Sequence, residues 1–131
     1  MKQAYPIIMS KGKEFIIVYI PDFNINTQGT DYANAIEMAR DAIGLMGIDM
    51  EDEKETIPVP SELAEIKCEN PDDAVSLVDV DFAEYRRKHD DRMVRRNITL
   101  PAWLDAAASA EKINVSRVAQ TALKELLHFA D

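Results

Sequence analysis

The chain has one cysteine, Cys68, and two histidines, His89 and His128, among its 131 residues. A single cysteine excludes an intrachain disulfide and offers no metal-ligand spacing. Neither histidine has a cysteine, histidine or carboxylate at ligand or triad spacing, so both read as surface residues. A reducing cytoplasm is the natural compartment. No apolar run reaches the length of a membrane span, and the opening MKQAYPIIMSKGKEF lacks a signal-peptide pattern. The four glycines form no phosphate-binding loop, and no repeat or low-complexity segment is present. What remains is rich in aliphatic residues and alanine, and long enough for one ordinary domain or two small ones.

Positive charge is also scarce, and it is unevenly placed. Residues 1–85 carry six Lys/Arg against eighteen Asp/Glu, a balance of −12, whereas residues 86–131 carry nine against six, a balance of +3. Arg86, Arg87, Lys88, Arg92, Arg95 and Arg96 hold much of that positive charge. Such asymmetry suggests two different partners. The basic part has the electrostatic footprint expected for a phosphate backbone, while the acidic part would be repelled by nucleic acid and attract something basic.

The basic part opens with an alternating run. Met93, Arg95, Asn97 and Thr99 fall on one face of a strand, and Val94, Arg96, Ile98 and Leu100 on the other. Pro101 ends the strand and opens a helix over 102–111, because its fixed φ suits a first helical turn. A turn at 112–114 leads into a second helix from Val115 towards Phe129, with Asn114 as N-cap and a stripe of Val115, Val118, Ala119, Ala122, Leu123 and Leu126. One strand and two short helices cannot close a core. An intertwined dimer can, with two strands paired as an antiparallel ribbon over four helices.

The acidic part predicts strands over Tyr5–Met9, Phe15–Ile20 and Ile25–Gln28, the first two joined by a hairpin loop at 10–13. Thr30 is the expected N-cap of a helix from Asp31 to about Met46, whose stripe is Tyr32, Ala35, Ile36, Ala39, Ile43 and Met46. Gly44 and Gly47 are expected to loosen and stop it. Asp49–Glu55 reads as a solvated loop, Ser61–Ile66 as a short helical turn, and Ala74–Phe82 as a strand. Apolar residues on both faces of that strand predict a central position in its sheet. The element order predicts an α+β domain over 1–85, a small antiparallel sheet with one long helix. Residues 86–92, within the charged stretch EYRRKHDDR, read as a linker to a domain over 93–131.

Two resemblances follow. Arg95-Arg96-Asn97-Ile98-Thr99-Leu100-Pro101 and the turn Ile113-Asn114-Val115-Ser116 resemble the ribbon-helix-helix DNA-binding module. The resemblance implies that Arg95, Asn97 and Thr99 read bases in the major groove, tasks their hydrogen-bonding groups suit. Phosphate contacts are expected from Arg92 in the basic cluster, from Arg96 swinging out past the ribbon end, and from Asn114 and Ser116 at the second helix's N-terminus, where exposed N–H groups make an anion site. Lys112 departs from the pattern, standing where that turn usually has glycine. Arg96 departs too, occupying an inward ribbon position.

Tyr5-Pro6-Ile7-Ile8, Ile20-Pro21-Asp22, Gln28-Gly29-Thr30 and Ile57-Pro58-Val59-Pro60-Ser61, in that order, resemble the N-terminal domain of HicB-type antitoxins. With the ribbon-helix-helix pattern the resemblance covers nearly the whole chain. It implies a truncated RNase H-like fold that binds a HicA-type toxin, a small basic mRNA interferase, and a C-terminal domain that binds operator DNA and represses the operon. Taken with the −12 against +3 charge split, the resemblance makes Asn34, Glu37 and Asp41 on the helix, with Asp22 and Phe23 at the strand ends, the candidate toxin contacts. A homodimer through 93–131 is implied, with room for a tetramer through 1–85, and no cofactor, metal or membrane.

Two other readings stand beside it. A stand-alone repressor would use the N-terminal domain to bind a small ligand or to oligomerise. A degenerate RNase H-like nuclease would need carboxylates converging on shared metal ions. Asp79 and Asp81 alternate on one strand face, and Asp31, Glu37 and Asp41 lie on the helix. The helix carboxylates point away from the apolar stripe, so a solvated acidic face is the better account and no enzymatic activity is expected.

Overall fold

The computed structural model describes residues 2–129, which fall into two compact units meeting between Arg92 and Met93. In the first, β1 (Lys2–Lys11), β2 (Ile16–Ile20), β3 (Ile25–Gly29) and β4 (Ala74–Asp81) form one antiparallel sheet in the order β3-β2-β1-β4. The long helix α1 (Tyr32–Asp52) packs on one face of it. Alternation along β1 sends Tyr5, Ile7 and Met9 to that face, where they meet Ile16, Val18 and Ile20 from β2 and Ala35, Ala39 and Ile43 from α1. Alanine at two of the three helix positions lets the helix lie close to the sheet. The small antiparallel sheet with one long helix is the α+β arrangement that the element order predicts.

Several boundaries differ from the sequence reading, each for a physical reason. β4 is an edge strand, not a central one. Only its inward Val78 and Val80 are buried, while Leu77 on the other face remains half exposed. The N-cap of α1 is Asp31 rather than Thr30. Its carboxylate accepts from Asn34 N–H, and the Asn34 side chain accepts from Thr30 N–H, so two free donors are satisfied reciprocally. The helix also runs six residues past the expected Met46, taking in part of the acidic run. Between Ile57 and Ile66 only Leu63–Glu65 forms a helical turn, of 3-10 type.

Gly44 and Gly47 do not stop α1; they are buried inside it. A Cβ on Gly44 would overlap the ring of Tyr85, and one on Gly47 the ring of Phe82. Both aromatics belong to a helix that the sequence reading did not foresee, having ended a strand at Phe82 and begun a linker at Arg86: α2 (Phe82–His89). Asp81 caps it, accepting from Glu84 N–H. The proposed linker 86–92 therefore starts as helix, because Phe82 and Tyr85 dock on the glycine notches and hold the charged turns that follow.

The second unit contains α3 (Ala102–Ala110) and α4 (Val115–Leu126), close to the expected spans. Residues 93–100, expected as a strand, carry no strand pairing in the single chain. No described side chain of this unit is buried. Trp103 is 71% exposed, and Val118, Leu123 and Leu126 on the α4 stripe are all more than half exposed.

The ends of α1, α3 and α4 share one device. Lys54, Lys112 and His128 adopt left-handed φ of 59°, 55° and 62°, while no glycine takes positive φ. After α3, Lys112 N–H reaches Ser109 C=O and Ile113 N–H reaches Ala108 C=O, the paired bonds of a Schellman cap. Basic side chains fill the place that glycine most often takes, which suits the negative helix end.

Candidate functional site

Glu37 and Asp41 look from α1 into a groove walled by α2 and by the ends of β1 and β4. Asp79 in this groove accepts from Arg40 on α1 and lies 3.5 Å from the Lys2 ammonium. The hydrogen bond from Arg40 holds the Asp79 carboxyl below its ordinary range. Asp81 is occupied by the α2 cap, and Glu84, bonded to Arg87, is likewise held low. The Tyr85 hydroxyl donates to Asp41 at 2.8 Å, and its ring stacks on His89. Burial, with that carboxylate beside it, pushes the phenol up to about 12. Each of these carboxylates except Glu37 thus has a defined partner. Among the described residues no three His, Cys, Asp or Glu side chains gather as a metal site.

The remaining expected toxin contacts lie elsewhere and have internal roles. Asp22 accepts from both the backbone N–H and the hydroxyl of Ser61, tying the β2–β3 turn to the Ile57–Ser61 loop. Phe23 meets Tyr5 edge-to-face at 4.9 Å, and the Tyr5 hydroxyl donates to Pro58 C=O. Asn34 is spent on the helix cap. Of the five, Glu37 and Asp41 share the groove, and Asp22, Phe23 and Asn34 are not among its walls.

A denser cluster closes the first unit. The Arg86 guanidinium donates to Ile48 C=O, Glu51, Asp52 and Asp90 at 3.0–3.3 Å. Partial burial works against its charge, but Asp52 and Glu51 more than offset this, and its pKa is raised. Arg92 donates to both oxygens of Asp90, at 2.9 and 2.8 Å, and lies 3.8 Å from Asp52. Asp90 is held far below the usual carboxylate range, chiefly by Arg92, and Arg92 is raised in return. Sequence reasoning gave Arg92 to a phosphate; here its partners are carboxylates.

In the second unit Arg95, Arg96, Asn97 and Thr99 are all exposed. Asn114 caps α4, its side-chain oxygen accepting from Arg117 N–H, and Ser116 is exposed in the first turn. Beyond Met93 there are five Lys/Arg and four Asp/Glu, a balance of +1. Much of the expected basic footprint therefore belongs to α2 and the Arg86–Arg92 cluster of the first unit.

The sequence reading missed α2 and with it Tyr85 and Arg86. Two signals were there to find. Asp81-Phe82-Ala83-Glu84 has the spacing of a helix start, and Phe82, Tyr85, Arg86 and His89 follow at i, i+3, i+4, i+7. The run of charges concealed a face only four residues deep.

The order of elements, the acidic sheet-and-helix unit and the uncovered helical unit together describe a two-part binding protein. Residues 5–124 match the family described as HicB-like antitoxin of bacterial toxin–antitoxin systems, and the chain belongs to that family. Among solved structures, a toxin–antitoxin complex from Streptococcus pneumoniae is similar at TM-score 0.62 and 21% identity, covering 95% of this chain and 99% of that one. The antitoxin HicB of Burkholderia pseudomallei is similar at 0.57 and 23%, covering 96% and 98%. The antitoxin HicB3 is similar at 0.53 and 20%, covering 94% and 97%. These likenesses extend the shared fold over both units. No curated protein matches the chain. No helix among the described residues is long and apolar enough to cross a membrane.

Proposed function

We propose that this chain neutralises a HicA-type toxin through its first unit and represses its own operon through its second, acting in the cytoplasm. The carrying observation is the uncovered second unit: an unpaired segment and two amphipathic helices, without one buried side chain among the described residues. A second copy supplies what is missing. Residues 93–100 of two chains pair as a ribbon, and the exposed Val118, Leu123 and Leu126 meet their counterparts beneath it. The ribbon then presents Arg95, Asn97 and Thr99 to the major groove, with Arg96 and the N-terminus of α4 at Asn114 and Ser116 against phosphates.

Membership of an antitoxin family and the −10 balance of residues 1–92, ten Lys/Arg against twenty Asp/Glu, support the toxin-binding half. A protein that binds RNA must present positive surface, and complementary fields speed its encounter with an acidic partner. Glu37 and Asp41 are the preferred contacts because they alone of the five line the groove, although Asp41 also accepts from Tyr85; Asp22, Phe23 and Asn34 lie outside it and serve the fold.

The domains are best separated after Arg92, since a cut after Tyr85 would divide α2. Residues 1–92 should protect cells from a co-expressed toxin without binding operator DNA, and residues 93–131 should do the reverse. Protection by 93–131 as good as that of the intact chain would end this division of labour. Arg95→Ala should reduce the preference for operator over random DNA by about 1–3 kcal/mol if its contact is bidentate. An unchanged ratio would show the ribbon register to be wrong.

A further inference from the structure

Arg86 and Arg92 are both held by carboxylates, but on very different terms. Arg86 is only 27% exposed and spans α1, α2 and Asp90, with one bond to the backbone carbonyl of Ile48. Removing it would take away one of the ties between α1 and α2, beside the Tyr85–Asp41 hydrogen bond and the aromatic rings docked on Gly44 and Gly47. Arg92 is 71% exposed; its guanidinium is held by Asp90 and, more distantly, Asp52, while its backbone N–H separately donates to Asp90 at 3.2 Å and can stay there when the side chain leaves. It lies immediately before the segment assigned to the DNA-facing ribbon. Three carboxylates, Glu51, Asp52 and Asp90, serve two guanidiniums, so the cluster keeps a negative balance even with both arginines in place.

We propose that Arg92 is a switchable phosphate ligand, held off DNA by Asp90 and Asp52 and transferred to a backbone phosphate when the chain binds. Arg86 stays with Glu51, Asp52 and Ile48 and acts as the fixed post of the cluster. The proposal rests on the DNA-binding reading above. An exposed ion pair of this kind is easily exchanged, because water screens it and holding long side chains in one geometry costs entropy. A phosphate offers Arg92 the same two-oxygen geometry as Asp90 does, with condensed counterions released on contact. The carboxylates therefore lower the affinity for any DNA sequence and leave base discrimination to the ribbon.

The test is a double-mutant cycle on the intact chain, with affinity for operator and for random duplex DNA measured across a salt series. Asp90→Asn should tighten binding to both DNAs about two- to fivefold per arm at low salt. Arg92→Ala should weaken both and lower the salt slope by about one unit per arm. In the Asp90→Asn/Arg92→Ala chain the gain from Asp90→Asn should vanish. An equal gain with and without Arg92 would show that Asp90 acts only as a nearby negative charge, and would overturn the switch while leaving DNA binding intact. Absence of DNA binding by the unaltered chain would overturn the DNA-binding reading, and the switch with it. Should Asp90→Asn loosen α2, as judged by its thermal unfolding, Asp52→Asn puts the same question from the other side of Arg92, with the same two outcomes.

Discussion

The two units solve the same problem with opposite means. Residues 2–92 bury twelve hydrophobic side chains, from Tyr5 to Phe82, under their own helix and sheet. Residues 93–129 bury none, although α4 has the more strongly sided apolar face of the molecule. Fully burying a Val, Leu, Ile, Phe or Met side chain is worth about 1.5–3 kcal/mol, and the first unit has an interior of its own to supply that term. The first unit is thus a self-sufficient fold. The second has a sided apolar face and no interior, and on the reading proposed above its stability comes from association.

The largest expected effect follows directly. Isolated residues 93–131 should have no stable folded monomer, and their thermal midpoint should rise with protein concentration. Residues 1–92 should melt at a midpoint set by their own core, and they should do so with the second unit removed. A concentration-independent melt of 93–131 together with a monomeric mass in sedimentation would erase the contrast and the ribbon assignment.

A smaller effect probes the inside of the first unit. Gly47→Ala puts a methyl group into the Phe82 ring, itself only 7% exposed. Overpacking costs about 1–3 kcal/mol. Alanine's better helix propensity returns about 1 kcal/mol. The net should be a loss of up to about 2 kcal/mol in denaturant unfolding of the first unit, with the concentration dependence of the second unchanged. A gain in stability would mean that α2 does not dock on that notch.

How far the fold could be read from the sequence depended on how each unit gets its stability. Periodicity placed α1, α3, α4 and the four strands, because burial against one face imposes a repeat on the chain. It did not place α2, where the docking groups Phe82 and Tyr85 sit among charges and their receptors are two glycines 35–41 residues earlier. Glycine has two uses, permissive backbone and absent side chain, and the sequence alone suggested the first. The edge position of β4 was hidden for a related reason: Leu77 and Val75 look like core residues, and only the pairing order puts them at the margin. In the candidate site, residue types suggested Arg92 for phosphate, but three-dimensional neighbours decide what holds an arginine in the absence of DNA.

Tyr85 gives a pH-dependent view of the α1–α2 contact. Its phenol ionises near 10 in an unfolded chain and is pushed up to about 12 in the fold. The folded state therefore holds the proton more tightly between those values. This contribution is complete below pH 10 and is lost as pH rises from 10 through 12. Comparing the stability of Tyr85→Phe with the parent should show a difference that changes across that window and levels off on either side. In tyrosinate absorbance, a late-titrating phenol should disappear in the variant, leaving the burial-raised Tyr5 in place. A pH-independent difference would leave Tyr85 as packing alone.

The smallest effect concerns the turn between α3 and α4. Lys112 closes the Schellman cap with φ of 55°, a conformation that costs an ordinary side chain about 1–2 kcal/mol. Glycine would remove this strain but would lose more backbone entropy on folding, about 0.4–1 kcal/mol. The difference leaves Lys112→Gly stabilising by about 0.5–1 kcal/mol per chain. Because a dimer contains two such turns, the gain should appear as tighter association of residues 93–131 at a given concentration. Lys54 has the same left-handed geometry after α1, so Lys54→Gly should stabilise the first unit by a similar amount. Its gain should not depend on concentration. Equal chemistry at the two turns would then produce two different signatures, one through association and one through the monomer. If Lys112→Gly also stabilised in a concentration-independent way, the second unit would be folding without a partner.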